Sequence, residues 1–350
     1  MASFTGRPNK INNHKLVLRK SSLDNKKSIA EKSTPKIIYN YPSLMKIKIL
    51  NTPIKWLPET CVINYPPHNK NCYNIEPDFL KYLKTRVDLL TNSYEEADFY
   101  YLPVNWVRMY WNYKFNPPMQ ELYTFIDSLP IDKKRTFIVS DIDIGIKKLF
   151  KTGTYFEEFI MFNSTIEEDN LIGLPELCPE HKVTPNFSKK KYFASFVGSS
   201  TTHPIRQIMI NKLKNFKDIL VYDTSTYHNN APNFIRTILD SYLSLCPRGT
   251  GINSFRFWES MQLGVVPIYV GNKDCRPFGD VIKWDEISFK ATTIEELVIL
   301  LDHIRKNIST SVLLEMGKKA KNIFDNTLSF QKWENYVIRI LDNMFKMNKG

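Results

Sequence analysis

The chain has 350 residues, enough for two ordinary domains or one large one. With 43% hydrophobic and 13% aromatic residues it holds ample core material, which excludes a disordered protein, and no run approaches the roughly 18–20 apolar residues that cross a bilayer. A formal net charge of +12 suggests a polyanion partner, but residues 1–36 hold nine Lys/Arg against two Asp/Glu, so +7 of it sits in a short leader and the body is only mildly basic.

That leader (1–36) is expected to be disordered and solvated, with a polyanion tether as the competing reading. It lacks the apolar centre of a secretory signal, so the expected location is the cytoplasm or another intracellular soluble compartment. Five cysteines (Cys61, Cys72, Cys178, Cys246, Cys275) are odd in number and contain no CxxC pair. They argue against a zinc site or a disulfide framework, and leave a single Cys61–Cys72 bridge open. Asn-x-Ser/Thr triplets at Asn163, Asn186 and Asn307 are attributed to chance in an Asn-rich chain.

Residues 37–190 read as an N-terminal α/β domain. Ala97–Val104 and Thr136–Ser140 are strand-length runs rich in aromatic and β-branched residues. Pro77–Leu90 and Pro117–Leu129 read as helices, each opened by a proline whose missing N–H has no partner in a first turn anyway. Strands alternating with helices predict a parallel sheet covered on both faces. The polar, proline-bearing stretch 164–190 reads as a crossing between domains or a cleft loop.

The alternation restarts in a second α/β domain, 191–350. Strands are predicted at Tyr192–Val197, Ile219–Tyr222, Tyr242–Cys246 and Val265–Val270, with helices at His203–Phe216, Pro232–Leu239 and Asn253–Leu263. Three helical stretches, 293–305, 310–325 and 330–346, close the chain. No internal repeat or low-complexity tract is present.

The chemically informative stretch is Leu243–Val270, LSLCPRGTGINSFRFWESMQLGVVPIYV, a strand, glycine loop, helix and strand. In parallel α/β sheets ligands bind where strand ends meet helix starts, and the loop Pro247–Gly251 lies at such a point. Gly249 and Gly251 let the backbone approach a ligand without a β-carbon in the way. The following helix offers unpaired N–H groups to an anion, and Arg248 adds a forked cation suited to phosphate oxygens. Ser254 stands where a helix cap belongs and Gly264 where the helix ends. Phe257, Trp258 and Met261 form an apolar stripe, which places Arg256 and Glu259 on the opposite, exposed side. There they are either a surface ion pair or part of a nucleotide site, in which Glu259 would accept from two ribose hydroxyls. The loop matches neither the Walker pattern nor GxGxxG, so the residues alone specify an anionic ligand and no more.

This stretch resembles the signature of the exostosin family of glycosyltransferases: Pro247-Arg248-Gly249, then Ser254–Arg256–Glu259 in an S-x-R-x-x-E pattern, then Gly264–Pro267–Ile268. The similarity continues through Pro277-Phe278 and Val281-Ile282-x-Trp284, and reaches back to Phe196-x-Gly198 with Arg206 and to Glu96-Ala97-Asp98. The resemblance implies a GT-B-like fold, two Rossmann-type domains facing a central cleft with a helical C-terminal tail. It implies inverting transfer of a sugar from a nucleoside diphosphate, UDP by preference, to a hydroxyl of a glycan or glycoconjugate. No cofactor and no metal are required on this reading, and no specific nucleic acid is expected. Arg248 would face the diphosphate with Arg206 as a second cation, Ser254 and the loop amides would bind phosphate oxygens, and Glu259 would hold the ribose.

An inverting displacement also needs a base on the acceptor side. Asp141 and Asp143, after the strand Thr136–Ser140, are the leading candidates, with His68 and Glu157 behind them. The Asp141-Ile-Asp143 spacing equally fits a Mn²⁺-dependent GT-A transferase, and the basic leader fits a non-catalytic polyanion-binding protein. Family members are typically membrane-anchored Golgi proteins, and the different N-terminus here leaves the acceptor open.

Overall fold

The computed structural model describes residues 44–58, 75–114, 116–142, 144–166, 171–178, 180–185, 187–225, 232–274, 276–329 and 332–349. The basic leader, His68, Asp143, Cys61, Cys72, Cys275 and Asn186 lie outside the described residues.

The first half builds a five-stranded sheet from β1 (Ile47–Ile49), β2 (Phe99–Tyr101), β3 (Thr136–Ser140), β4 (Ile160–Asn163) and β5 (Leu171–Gly173). All neighbours are parallel and the spatial order follows the chain, β1-β2-β3-β4-β5. Its helices are α1 (Ile75–Thr85), α2 (Trp106–Asn112), α3 (Met119–Asp127) and the short α4 (Ile146–Phe150). Residues along β3 alternate between two cores, as the two-residue period requires. Phe137 and Val139 pack with α1 on one face, while Ile138 packs with Trp106 and Phe156 on the other. The sheet is buried on both sides, so every residue of β3 is buried.

The second sheet contains β6 (Tyr192–Gly198), β7 (Ile219–Asp223), β8 (Ser241–Pro247), β9 (Val266–Val270) and β10 (Phe289–Ala291), again all parallel. Its order is β10-β9-β8-β6-β7. The chain moves outward from β6 to β7, then returns to the other side of β6 as β8. That reversal makes a topological switch between the carboxyl ends of β6 and β8, the place where such sheets bind ligands. Around the sheet lie α5 (Pro204–Leu213), α6 (Phe234–Leu239), α7 (Phe255–Gln262), α8 (Ile294–Asn307) and α9 (Thr310–Ile323). Leu243 and Leu245 face the core shared with α5 and α8, whereas Cys246 and Tyr269 face α7.

The last helix, α10 (Glu334–Lys349), crosses back to the first half. Just before it, Trp333 donates Nε1–H to Asp78 on α1 at 3.3 Å and packs against Phe79, while Tyr82 Oη donates to Asn335 at 2.9 Å. On its other side Tyr336 stacks on Phe278 at 3.6 Å and Arg339 pairs with Asp280. One continuous apolar core therefore runs from α1 through α10 to α7. The α/β architecture of two parallel sheets with closing helices is the GT-B-like one expected from the sequence. No helix among the described residues is long and apolar enough to cross a membrane.

Candidate active site

The turn from β8 into α7 is held from three sides. Arg248 N donates to Val270 O at 2.9 Å, and its guanidinium reaches Asn272 Oδ1 at 2.7 Å across the end of β9. From α5, whose start is fixed by Pro204 and by His203 Nδ1 accepting from Ile205 N, Arg206 donates to three carbonyl oxygens. These are Arg248 O at 2.9 Å, Pro247 O at 3.2 Å and Ser199 O at 3.2 Å. Arg206 thus shapes the turn with the side chain that the sequence offered as a second phosphate cation. Burial, then the neighbouring Arg256 charge, lowers its pKa to about 10.

Arg256 is placed differently from expectation. The exposed face assigned to Arg256 and Glu259 is absent, and every residue from Arg256 to Gln262 is buried. The cause is that α7 is covered on both sides: by the central core on one, and by β6, α6 and His181 on the other. Arg256 lies 4.3 Å from the Phe196 ring and 5.0 Å from the Phe234 ring, and donates to Val197 O. Burial lowers its pKa, with Cys246 and Glu259 opposing the shift. The anticipated surface ion pair does not form, because Glu259 instead meets His181 Nε2 at 3.0 Å. Among the described residues neither Arg206 nor Arg256 has an ion-pairing carboxylate.

Glycine is required here by close approach. A β-carbon on Gly249 would sit 3.1 Å from Arg206 Nη2, and one on Gly198, the last residue of β6, 2.8 Å from Arg256 Nη2. The two glycines make room for the two guanidiniums at the switch point. Gly251 is buried within the same turn.

Ser254 occupies the N-cap position of α7, but its hydroxyl makes no capping bond. Its own carbonyl takes Phe257 N at 2.8 Å, so the donor that a capping hydroxyl would satisfy is already used. Asn253 does the local work instead: Oδ1 accepts from Ser254 N at 2.9 Å and from Trp258 Nε1 at 3.0 Å. Gly264, with φ of 69°, ends the helix as expected.

On the first sheet, Asp141 directly follows β3 at the carboxyl edge and is half-buried. Its backbone N donates to Glu76 Oε1 at 3.3 Å. Glu76 lies in the first turn of α1 and is fully buried. Burial first, and the Asp141 charge second, push its carboxyl up to about 8. Glu157 is exposed ahead of β4, at the opposite edge of the sheet, 4.0 Å from Lys147, and has no place at this site.

Sequence reading missed His181 and Glu76. His181 stands in an irregular segment without any period. Glu76 carried one usable signal, an acidic residue in a helical first turn. Among the described residues no group of three or more His, Cys, Asp and Glu side chains forms a metal-binding cluster.

The Exostosin GT47 domain model matches residues 131–302, which hold both the Asp141 turn and the β8–α7 turn. A probable glucuronosyltransferase of Oryza sativa subsp. japonica is 28% identical over 190 residues, 51% of this chain and 45% of that one. The Exostosin-1 homolog of Caenorhabditis elegans is 25% identical over 175 residues, 46% of this chain and 45% of its own length. Among solved structures, HepE of Anabaena in complex with UDP and glucose overlays with a TM-score of 0.42 at 10% identity, covering 76% of this chain and 82% of that one. The chain spans about half the length of the curated relatives it matches, between 37% and 62% for the rice and nematode proteins. The match spans the signature turn, so this part of the chain is similar to the exostosin GT47 domain.

Proposed function

We propose that the chain transfers a sugar from a nucleoside diphosphate, UDP first among them, to a glycan hydroxyl with inversion at the anomeric carbon. The observation that carries this reading is the buried guanidinium of Arg256 beside the half-buried one of Arg206, at the β6–β8 switch point without an ion-pairing carboxylate among the described residues. A buried cation without a counter-charge is costly, and an anionic ligand offsets that cost. The names of the matched relatives, a glucuronosyltransferase and an exostosin homolog, agree with glycosyl transfer.

In this mechanism the diphosphate sits on the amides that open α7. Arg248 reaches its outer oxygens, the uncommitted Ser254 hydroxyl donates to one of them, and Arg256 supplies charge from below. As the anomeric bond breaks, negative charge grows on the β-phosphate, and these fixed donors stabilise it without reorganising. Removing one such donor costs on the order of 3 kcal/mol, about a hundredfold in rate. Glu259, held by His181, accepts from the ribose hydroxyls. Asp141 takes the acceptor's proton. The cations of the site are the protein's own, so the reaction needs no metal on this reading.

The test is a donor screen with UDP-glucose, UDP-xylose, UDP-glucuronate and GDP-linked sugars against an oligosaccharide panel, run with and without EDTA. A bound donor at a hundred times its dissociation constant stabilises the fold by about 2.7 kcal/mol, a readable thermal shift. Absence of both nucleotide binding and nucleotide release across the panel would remove the reading. Activity lost in EDTA and restored by Mn²⁺ would replace it with the metal-dependent alternative.

A further inference from the structure

Two asparagines outside the proposed reaction carry a buried polar chain between the two sheets. Asn163 is the last residue of β4 and is 1% exposed. Its Oδ1 accepts from Ser140 Oγ and from Ile142 N, the latter at 3.2 Å. Its Nδ2 donates to Ile142 O at 2.9 Å and to Thr165 O at 3.0 Å. A carboxamide has two donors and two acceptor sites, so this one is fully engaged. Three of its four bonds go to Ser140 and Ile142, the residues on either side of Asp141. Glu76 holds the same turn from the other side through Asp141 N.

One residue further, Ser164 O accepts from Asn253 Nδ2 at 2.7 Å. Asn253 is 6% exposed, and its Oδ1 fixes the first turn of α7 through Ser254 N and Trp258 Nε1. Buried hydrogen bonds therefore connect the turn that presents Asp141 to the turn that faces the donor phosphates. The surrounding apolar core already holds the two halves together. Apolar contact is non-directional, however, and leaves register free, whereas a satisfied amide pair fixes it. Asn163 also begins one of the Asn-x-Ser/Thr triplets, and its burial and four bonds give that asparagine an internal role.

We propose that Asn163 is a positioning residue for the transfer reaction, which through Ser164 and Asn253 sets Asp141 at a working distance from the donor phosphates. The proposal rests on the glycosyl-transfer reading above.

The test compares wild type, N163A, D141N and the double variant in UDP binding, sugar transfer to the oligosaccharide found with wild type, and donor hydrolysis by water without acceptor. N163A is expected to bind UDP within about twofold of wild type, since binding does not use Asp141, and to keep donor hydrolysis within about threefold, since a small mobile water reaches a displaced base that a glycan hydroxyl held by its own contacts does not. Its transfer rate falls roughly a hundredfold, the scale of a 1 Å misplacement of reacting groups. The double variant transfers no more slowly than D141N, because both changes disable one device. Losses that multiply, or an N163A that loses transfer and hydrolysis equally, overturn the assignment. Should N163A not fold, S140A removes a single hydroxyl from the same cluster. It is expected to lose transfer by about fivefold with hydrolysis spared, and an S140A with unchanged transfer overturns the assignment as well. A wild-type protein that neither binds nucleotide nor transfers sugar overturns the parent reading instead.

Discussion

The two sheets are assembled from the same strand–helix unit, yet acids gather where α1 meets the first and arginines at the carboxyl edge of the second. Where α1 meets the first sheet the buried ionisable groups are acids, Glu76 at 0% and Asp78 at 7% exposure, with Asp141 beside them. At the carboxyl edge of the second, Arg256 is buried on α7 with Glu259 one turn on, and Arg206 is half-buried beside it. The difference follows from topology. The first sheet adds strands in one direction, so no crevice opens between diverging crossovers, and acids settle at the positive end of α1. The second reverses at β6, and the crevice between β6 and β8 admits two guanidiniums under a glycine turn. In the proposed displacement the cationic crevice meets the departing diphosphate and the acidic edge the acceptor's proton.

That division is broken most decisively at Asp141. D141N is expected to lose roughly 10²–10⁴-fold in turnover, the usual worth of a positioned base, while donor affinity stays unchanged. Titration calorimetry with UDP beside a transfer assay separates the two. A D141N enzyme with normal turnover would move the base elsewhere on the acidic edge.

The cationic side gives the next largest effect. R248A removes a guanidinium that reaches across the end of β9, and about a hundredfold is expected in kcat/KM. Lysine at the same position is expected to recover only part of it, because one ammonium cannot fork across two phosphate oxygens. Equal activity of R248A and wild type would take Arg248 out of the site.

A smaller effect sharpens the comparison within the second sheet. His181 reaches Glu259 from the segment joining the halves, and its backbone N also donates to Gln262 Oε1 at 2.6 Å. H181A is expected to raise the donor KM by roughly tenfold and leave kcat alone, the pattern of an interaction made equally in ground and transition states. A drop in kcat at constant KM would place His181 nearer the reacting atoms.

Much of the second half could be read in the sequence because its elements announce themselves. β9 is an unbroken apolar run and β8 a mostly apolar one, α7 is bounded by Asn253-Ser254 and Gly264, and Arg248 stands directly before Gly249. What could not be read was which face of α7 meets solvent. An apolar stripe tells which side enters a core, but covering of the other side depends on Phe196, Phe234 and His181, all distant in sequence. The first half was less legible. β1, β4 and β5 have three or four residues each, too short to show a period, and β1 is recognisable only by its pairing with β2. Asp141 could be placed from the end of β3, but its neighbour Glu76 comes from 65 positions away.

Glu76 offers the smallest effect and the most direct probe of the acidic edge. Its carboxyl is raised from 4.5 to about 8 by burial and by Asp141, so the folded protein holds the proton more tightly than the unfolded chain does. A raised pKa contributes stability that is complete below the unfolded value and is lost as pH rises through the folded one. The wild-type protein should therefore lose stability between about pH 4.5 and pH 8, as an uncompensated carboxylate forms beside Asp141. Glutamine has the shape of the protonated acid and cannot ionise. E76Q is expected to unfold with wild type at pH 5 and to unfold roughly 2–4 °C higher at pH 9, a shift worth about 1 kcal/mol in a chain of this size. Thermal scans at the two pH values decide it. If E76Q destabilises equally at both, Glu76 is ionised in the folded state and the acidic edge carries two negative charges rather than one.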